Sequence, residues 1–469
     1  MKHTPWLAFS IDRASATPVF EQICEAIRTK VISGELSEGI KLPPTRIFST
    51  ELGVSRSTVV TAYEQLTAEG YLKSIKGSGY SICAMGEVEF KERPSSSDEL
   101  ARDEPALAPQ PFQAGLPDMR LFPHRQWAKA VSRICRSNPE AMLVGGNSFG
   151  NFELRKAIAD HVSEWRGIEA SPGQIIVTAG AADALEISTR TLATFGDRIG
   201  LENPGYPPLK MFAKTQGLKP VYMRVDENGA TLSANVKDLH LVVLTPSHQY
   251  PLGGAMAPNR RLEFIQWAES INGWVIEDDY DSEFRYAGRP IPAMAGFDRL
   301  RRTIYVGSFS KIFSNTLRLG YLIVPEATVD RFRATMDGFG LRASYMPQQA
   351  LAAFMNNGEF YRHLRRVRRI YGERRKFLLE RLSQDFTQYG SFIDHQAGMQ
   401  IVFNLHPDLH DKDAAAQAYK QGISVQPLSC FSVAKSDYNG LVLGYCGFNQ
   451  DELSAALVAL KAVLCGIHR

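Results

Sequence analysis

Lys311 closes the run Gly307-Ser308-Phe309-Ser310-Lys311 and is followed by Arg318-Leu319-Gly320-Tyr321, while a short apolar stretch upstream ends in Asp278-Asp279-Tyr280. A lysine framed by hydroxyls and followed by an arginine is suited to forming a Schiff base with pyridoxal phosphate. An aspartate at a strand end can keep the pyridine nitrogen of that cofactor protonated, which strengthens the ring as an electron sink. On this reading Tyr280 donates to the ring hydroxyl, and Ser308, Ser310 and Arg318 bind the phosphate. Thr178-Ala179-Gly180-Ala181-Ala182 leads into a helix whose free N–H groups cradle the same phosphate, and Tyr206, in Asn203-Pro204-Gly205-Tyr206, stacks on the ring. Singly, Asp278 reads as a strand-end cap, Tyr280 as a half-buried aromatic and Lys311 as a surface lysine. Their joint occurrence, each just after an apolar run, favours the cofactor site.

A second constellation lies near the N-terminus in Gly53-Val54-Ser55-Arg56-Ser57-Thr58-Val59. It reads as the turn and first residues of a helix that enters the DNA major groove, where Arg56 pairs with guanine and Ser55, Ser57 and Thr58 reach phosphates or base edges. Arg46 and Lys41 are phosphate contacts on this reading, and Lys76 with the tip Gly77-Ser78-Gly79 reaches an adjacent minor groove. The plain alternative is a helical docking module in which Ser-Arg-Ser-Thr merely caps a helix.

Both constellations need elements to hold them. Val19, Ile23, Ala26, Ile27 and Val31 recur at helical spacing up to Gly34; Ile47, Phe48 and Leu52 predict a second helix broken at Gly53; Val59, Val60, Tyr63 and Leu66 predict a third that ends near Gly70. Tyr71–Ile75 and Tyr80–Cys83 flank the glycine turn as a hairpin, which makes residues 1–84 a winged helix-turn-helix. Residues 85–110, rich in Glu, Lys, Ser, Pro and Ala, read as a linker. From 111 to 469 short apolar runs alternate with helical patterns, which predicts an α/β domain with a mostly parallel seven-stranded sheet and a small C-terminal α+β portion. The seven runs are Ile175–Thr178, Arg198–Leu201, Val221–Met223, Leu241–Leu244, Trp274–Glu277, Thr303–Val306 and Tyr321–Val324.

The chain has 469 residues, 44% of them hydrophobic, enough for at least one large core, and its formal charge of +3 points to no polyanion partner unless a local patch supplies one. Six scattered cysteines without metal-ligand spacing predict reduced thiols and no metal site. No apolar run approaches the roughly 20 residues a membrane span requires, so a soluble, cytoplasmic protein with no membrane partner is expected.

Leu42-Pro43-Pro44-Thr45-Arg46, Leu52–Val59 and Glu69-Gly70-Tyr71-Leu72 resemble the GntR-type winged helix, and the second half resembles the fold-type-I aminotransferases. With Thr245-Pro246-Ser247-His248-Gln249-Tyr250-Pro251-Leu252-Gly253 and Glu277–Phe284, the whole chain resembles the MocR (GabR-like) family of pyridoxal-phosphate-dependent regulators. The resemblance implies a head-to-tail, domain-swapped homodimer, an internal aldimine at Lys311, a double-stranded DNA operator, and an effector that is either an amine or the cofactor itself. A catalytically active aminotransferase carrying a DNA-binding appendage is the competing reading, and a cofactor-free repressor a third.

Two stretches depart from a full aminotransferase. Gly440-Leu441-Val442-Leu443-Gly444-Tyr445 stands where such enzymes place a carboxylate-binding arginine, and Pro207-Pro208 follows Tyr206 where a second clamp belongs, with only Lys210 nearby. Gln400 stands where many relatives have histidine. Arg120 and Arg342 are the available substitutes, and ordinary α-amino acids are poor ligands if neither serves. The cationic run from Arg362 to Lys376 reads mainly as a solvated helix face, with an auxiliary phosphate-binding strip as the sharper alternative.

Overall fold

In the computed structural model the described residues are 10–84, 108–137, 146–232, 238–340, 342–433 and 438–467. The chain divides into two units, residues 1–106 and 107–469. Only 108–110 of the expected linker lie among the described residues.

In the first unit, α1 (Val19–Ile32) buries Ile23, Cys24, Ile27 and Val31, one helical stripe. Then α2 (Thr45–Leu52) ends at Gly53, whose φ of 63° is the left-handed conformation that turns the chain toward α3 (Arg56–Ala68). Phe48 and Tyr63 fill the space between the helices, and the Tyr63 hydroxyl donates to the Pro43 carbonyl at 3.1 Å. The strands β1 (Leu72–Ile75) and β2 (Gly79–Ile82) pair antiparallel from Leu72–Ile82 to Ile75–Gly79. Gly77 and Gly79 have φ of 77° and 91°, so both glycines are used for the tight wing tip.

The second unit contains a sheet of β3 (Ile175–Thr178), β4 (Arg198–Asn203), β5 (Lys219–Asp226), β6 (Gly229–Ala230), β7 (Leu239–Leu244), β8 (Trp274–Asp279), β9 (Thr303–Ser308) and β10 (Gly320–Ile323). Their order is β3-β10-β9-β8-β7-β4-β5-β6. All seven expected strands are present, and the sheet has eight rather than seven. The additional β6 is a two-residue edge strand antiparallel to β5, too short to leave a period in the sequence. β10 runs antiparallel to both β3 and β9, so the carboxyl ends of β3, β4, β7, β8 and β9 all emerge at the same edge.

Both faces of this sheet are buried. In β3, Ile175 and Val177 join one core while Ile176 joins another; Tyr321 and Ile323 of β10 divide from Leu322 in the same way. The near-continuous apolar runs follow from this two-sided burial. A second sheet, β11 (Gly390–Phe392), β12 (Gln400–Leu405), β13 (Gln426–Pro427) and β14 (Gly440–Gly444), is antiparallel in the order β11-β12-β14-β13. No helix among the described residues is long and apolar enough to cross a membrane, and no cluster of His, Cys, Asp or Glu is placed to hold a metal ion. The six cysteines are unpaired.

Gly444 of β14 carries the segment Gln113–Ala114 against its Cα: an added Cβ would lie 2.2 Å from the Gln113 carbonyl oxygen and 2.7 Å from Ala114 Cα. Backbone cannot yield as a flexible side chain does. Gly444→Ala is expected to destabilise the second unit by about 1–3 kcal/mol, read as a lower urea midpoint for its unfolding.

Candidate functional site

The shared edge of the large sheet puts five strand ends around one cavity of about 460 Å³. Asp278, near the end of β8, Ser308, the last residue of β9, and Ser310 and Lys311 in the following turn line it together with Tyr280, Tyr206, Ala181 and Ala182. Gly180 caps the helix Ala181–Leu192 with φ 101° and meets the sheet at Gly320, where a Cβ would lie 2.9 Å from the Gly180 carbonyl carbon. The close approach of two glycines holds the helix N-terminus, with its free N–H groups, at the cavity.

Asp278 is 8% exposed, and its Oδ1 is buried without a hydrogen-bond partner. Burial pushes its carboxyl up to about 7, and the neighbouring Asp279, Glu202 and Asp281 push in the same direction. Glu202 at the end of β4 is likewise raised to about 7 by burial, although Thr245 donates to it from Oγ1 at 2.5 Å. Lys311 Nζ donates to the Gly115 carbonyl at 2.7 Å, and burial holds its amine below the usual lysine range. A lysine so placed carries a larger fraction of nucleophilic free amine at neutral pH than an exposed one.

Tyr280 is held differently from expectation. Its hydroxyl lies 2.9 Å from His248 Nδ1, which also faces the Asp281 carboxylate at 2.9 Å, so its hydroxyl already has a partner among the protein's own groups. Ser308 Oγ accepts the Ser310 N–H at 3.2 Å. Tyr206 packs edge-on against Tyr250, ring centroids 5.6 Å apart, at the cavity margin. Arg318 is not brought to the wall: it is exposed, in the left-handed conformation with φ 47°, and Asn315 takes a wall position instead.

Sequence reasoning missed Gly115, Thr245, Tyr250 and Asn315. Thr245 and Tyr250 lie in a motif already noticed for its family likeness, but nothing local marks Gly115, which meets Lys311 only through tertiary folding. The substitute clamps fail. Arg120 is bound by Asp118 and Glu452, and Arg342 by Glu186 and Asp183; neither lines the cavity. Leu443 is fully buried in β14, paired with Ile401.

In the first unit, Ser55 Oγ accepts the Thr58 N–H at 3.1 Å and contacts the hydroxyls of Ser57 and Thr58 at 2.8 and 2.7 Å. The capping and DNA-reading interpretations therefore coincide in one residue. Arg46, Arg56, Lys76, Gly77, Ser78 and Gly79 are exposed, and Lys41 Nζ donates to Ser78 Oγ at 2.7 Å, which ties it to the wing tip. On the helix Glu359–Asp385 most of the cationic run is paired: Arg362 with Glu359, Arg369 with Glu373, Arg374 with Asp118, Arg375 with Asp394 and Lys376 with Glu380. Arg365 and Arg366 are exposed. The solvated-face reading fits the exposed Arg362, Arg365, Arg366, Arg369 and Lys376, whereas Arg374 and Arg375 are buried and held by acids from other parts of the chain.

Residues 20–82 match the model of the gntR family of bacterial regulatory proteins, and residues 116–460 match aminotransferase class I and II. A probable rhizopine catabolism regulatory protein, MocR of Rhizobium meliloti, is 34% identical over 98% of this chain and 96% of its own length. The chain belongs to the MocR family of GntR-type transcriptional regulators. Other MocR-type relatives include the pyridoxine biosynthesis regulator PdxR of Corynebacterium glutamicum, 34% identical over 97% of this chain and 98% of its own, and TauR of Rhodobacter capsulatus, 30% identical over 85% and 86%. The fold of this chain is similar to that of the α-aminoadipate aminotransferase LysN of Thermus thermophilus, solved in complex with N-(5'-phosphopyridoxyl)-L-leucine, with a TM-score of 0.69 and 24% identity over 76% of this chain and 92% of that one. Pyrococcus horikoshii kynurenine aminotransferase gives 0.70 at 22% identity over 80% and 95%.

A carboxyl whose folded-state pKa lies above its unfolded value stabilises the fold relatively at low pH, and that contribution is lost as pH rises through the folded value. For Asp278, raised from 3.8 to about 7, Asp278→Asn removes the loss. In cofactor-free protein this variant is expected to unfold at higher urea than wild type at about pH 8, by up to roughly 4 kcal/mol, and to match it near about pH 4.

Proposed function

We propose that the chain is a dimeric transcriptional regulator that binds pyridoxal phosphate in the large-unit cavity and senses that cofactor, or an amine reacting with it, to alter operator binding. The observation that carries this reading is the unpartnered Oδ1 of buried Asp278. An isolated buried carboxylate is costly, and a protonated pyridine nitrogen is the group that would complete it. The residues present fit the cofactor in other respects. Ala181 and Ala182 offer backbone N–H groups at a helix N-terminus for a phosphate, Ser308 and Ser310 add hydroxyls, and Lys311 presents a buried amine with a depressed pKa.

When bound, the cofactor supplies an aldehyde that condenses with primary amines and a ring that withdraws electrons. The chain's own groups then decide the outcome. Asp278 would hold the ring-nitrogen proton, Lys311 would hold the aldehyde end, and Tyr280, fixed by His248 and Asp281, orders the wall beside them. Lys311 Nζ lies against the Gly115 carbonyl, so a change in what Lys311 holds would be felt by the segment that packs on β14.

On the DNA side, Arg56 at the start of α3 is the base-reading residue and Arg46 and Lys76 are phosphate contacts. Joining two such readers in one head-to-tail dimer raises affinity for paired half-sites without new contacts. Coupling of the cofactor site to DNA must be reciprocal: a ligand that weakens operator binding is itself weakened by operator.

Two measurements test the reading. Purified chain incubated with pyridoxal phosphate is expected to gain a visible absorption band that borohydride fixes on Lys311; Lys311→Ala should take up no trapped label and lose the cofactor's effect on operator binding. A wild-type chain with no band and no trapped adduct rejects the cofactor half. Arg56→Ala should weaken operator binding by about 1–3 kcal/mol and relax base preference at one position in each half-site, whereas an unchanged operator profile rejects α3 as the reader.

A further inference from the structure

The cavity has two walls of different origin. The groups that fit pyridoxal phosphate come from the large sheet and the turns after its strands, whereas Ala114, Gly115, Met399, Gln400 and Gln426 come from the small sheet and the segment packed on it. Apart from the Gly115 carbonyl that accepts from Lys311 Nζ, the cofactor reading does not use this second wall. Its polar centre is Gln400, the first residue of β12, held by pairing with Gly444 of β14 and 7% exposed. The carboxamide Nε2 of Gln400 is buried without a hydrogen-bond partner. A buried donor left unpaired is costly, and a ligand acceptor at this wall would offset that cost.

The charge around it defines the acceptor. Asp278 and Asp281 line the cavity, where Lys311 is the one cation among the described residues; the adjoining cavity of about 240 Å³, which shares Tyr206 and Thr245, carries both Glu202 and Lys210, so it adds no net positive charge. Once Lys311 anchors the aldehyde, that cation is engaged. A carboxylate brought here would face acids with only a neutral amide to receive it, and the arginines that might have served are committed to Asp118, Glu452, Glu186 and Asp183.

We propose that Gln400 determines effector specificity, its carboxamide donating to an uncharged oxygen, so that the ligand class is a primary amine bearing a hydroxyl or similar neutral acceptor rather than an amino acid. This rests on the cofactor reading above, because the amine end is recognised through the aldehyde held at Lys311.

Three amines of equal chain length separate the possibilities: 3-aminopropan-1-ol, 3-aminopropanoate and propylamine, each titrated into full-length chain loaded with pyridoxal phosphate while the visible band is followed. The amino alcohol is expected to half-saturate the change at the lowest concentration. Gln400→Met, similar in volume, should erase its advantage over propylamine, about fivefold, and Gln400→Arg should turn the preference toward 3-aminopropanoate. Band intensity of each loaded variant reports whether its site has folded, and Gln400→Leu, which also lacks the carboxamide, serves in place of Gln400→Met if that variant has not. The proposal is overturned if 3-aminopropanoate equals or surpasses the amino alcohol in wild type, or if the alcohol-to-alkylamine ratio is the same without the carboxamide. Failure of the cofactor reading looks different: no band forms and borohydride traps nothing on Lys311, which removes the proposal along with it.

Discussion

A carboxylate buried without a partner is the constraint around which the large unit is arranged. Asp278 sits where β8 emerges between β7 and β9, with Asp279, Glu202 and Asp281 nearby, so its own charge is opposed from several directions. Its neighbour Asp279 shows what a satisfied position looks like: Arg166 pairs with it at 2.8 Å and Tyr305 donates to it at 2.5 Å. One acid of the pair is closed by protein, and the other lines the cavity with an oxygen that lacks a hydrogen-bond partner.

Close backbone approach does the positioning. Gly180 and Gly320 bring a helix N-terminus against the sheet edge, Gly307 accommodates the ring of Tyr321, and Gly444 admits the segment that ends on Lys311. A side chain at any of these sites would push apart elements that the cavity needs together. The small sheet is therefore part of the site, because β12 and β14 carry Gln400 and the surface on which Gln113–Gly115 rests.

Side-chain contacts secure the helix and the wing of the first unit. Ser55 caps the helix that begins at Arg56, and Lys41 steadies the wing through Ser78. Ion pairs elsewhere join both near and distant parts of the chain. Arg28 bridges α1 to Glu69 after α3, and the cationic helix of the large unit satisfies most of its charge with its own acids or buried carbonyls.

Short apolar runs, the helical stripe of α1 and the glycine-tipped hairpin were legible in sequence because periodicity and turn chemistry are local properties of the chain. Lys311 and Asp278 were singled out by type and by their place at the ends of apolar runs, and the fold brings both to the lining of one cavity. Other features were decided by tertiary structure. The eighth strand is two residues held by its neighbour β5, Gly115 reaches Lys311 from 196 residues away, and Arg318, apt by type, is exposed in a left-handed backbone conformation outside the cavity lining. Arg120 and Arg342 were equally apt by type until folding supplied each with acids. Residue identity sets what a group can do, but desolvation and pairing depend on neighbours brought from distant parts of the chain, and those neighbours decide which groups remain open to a ligand.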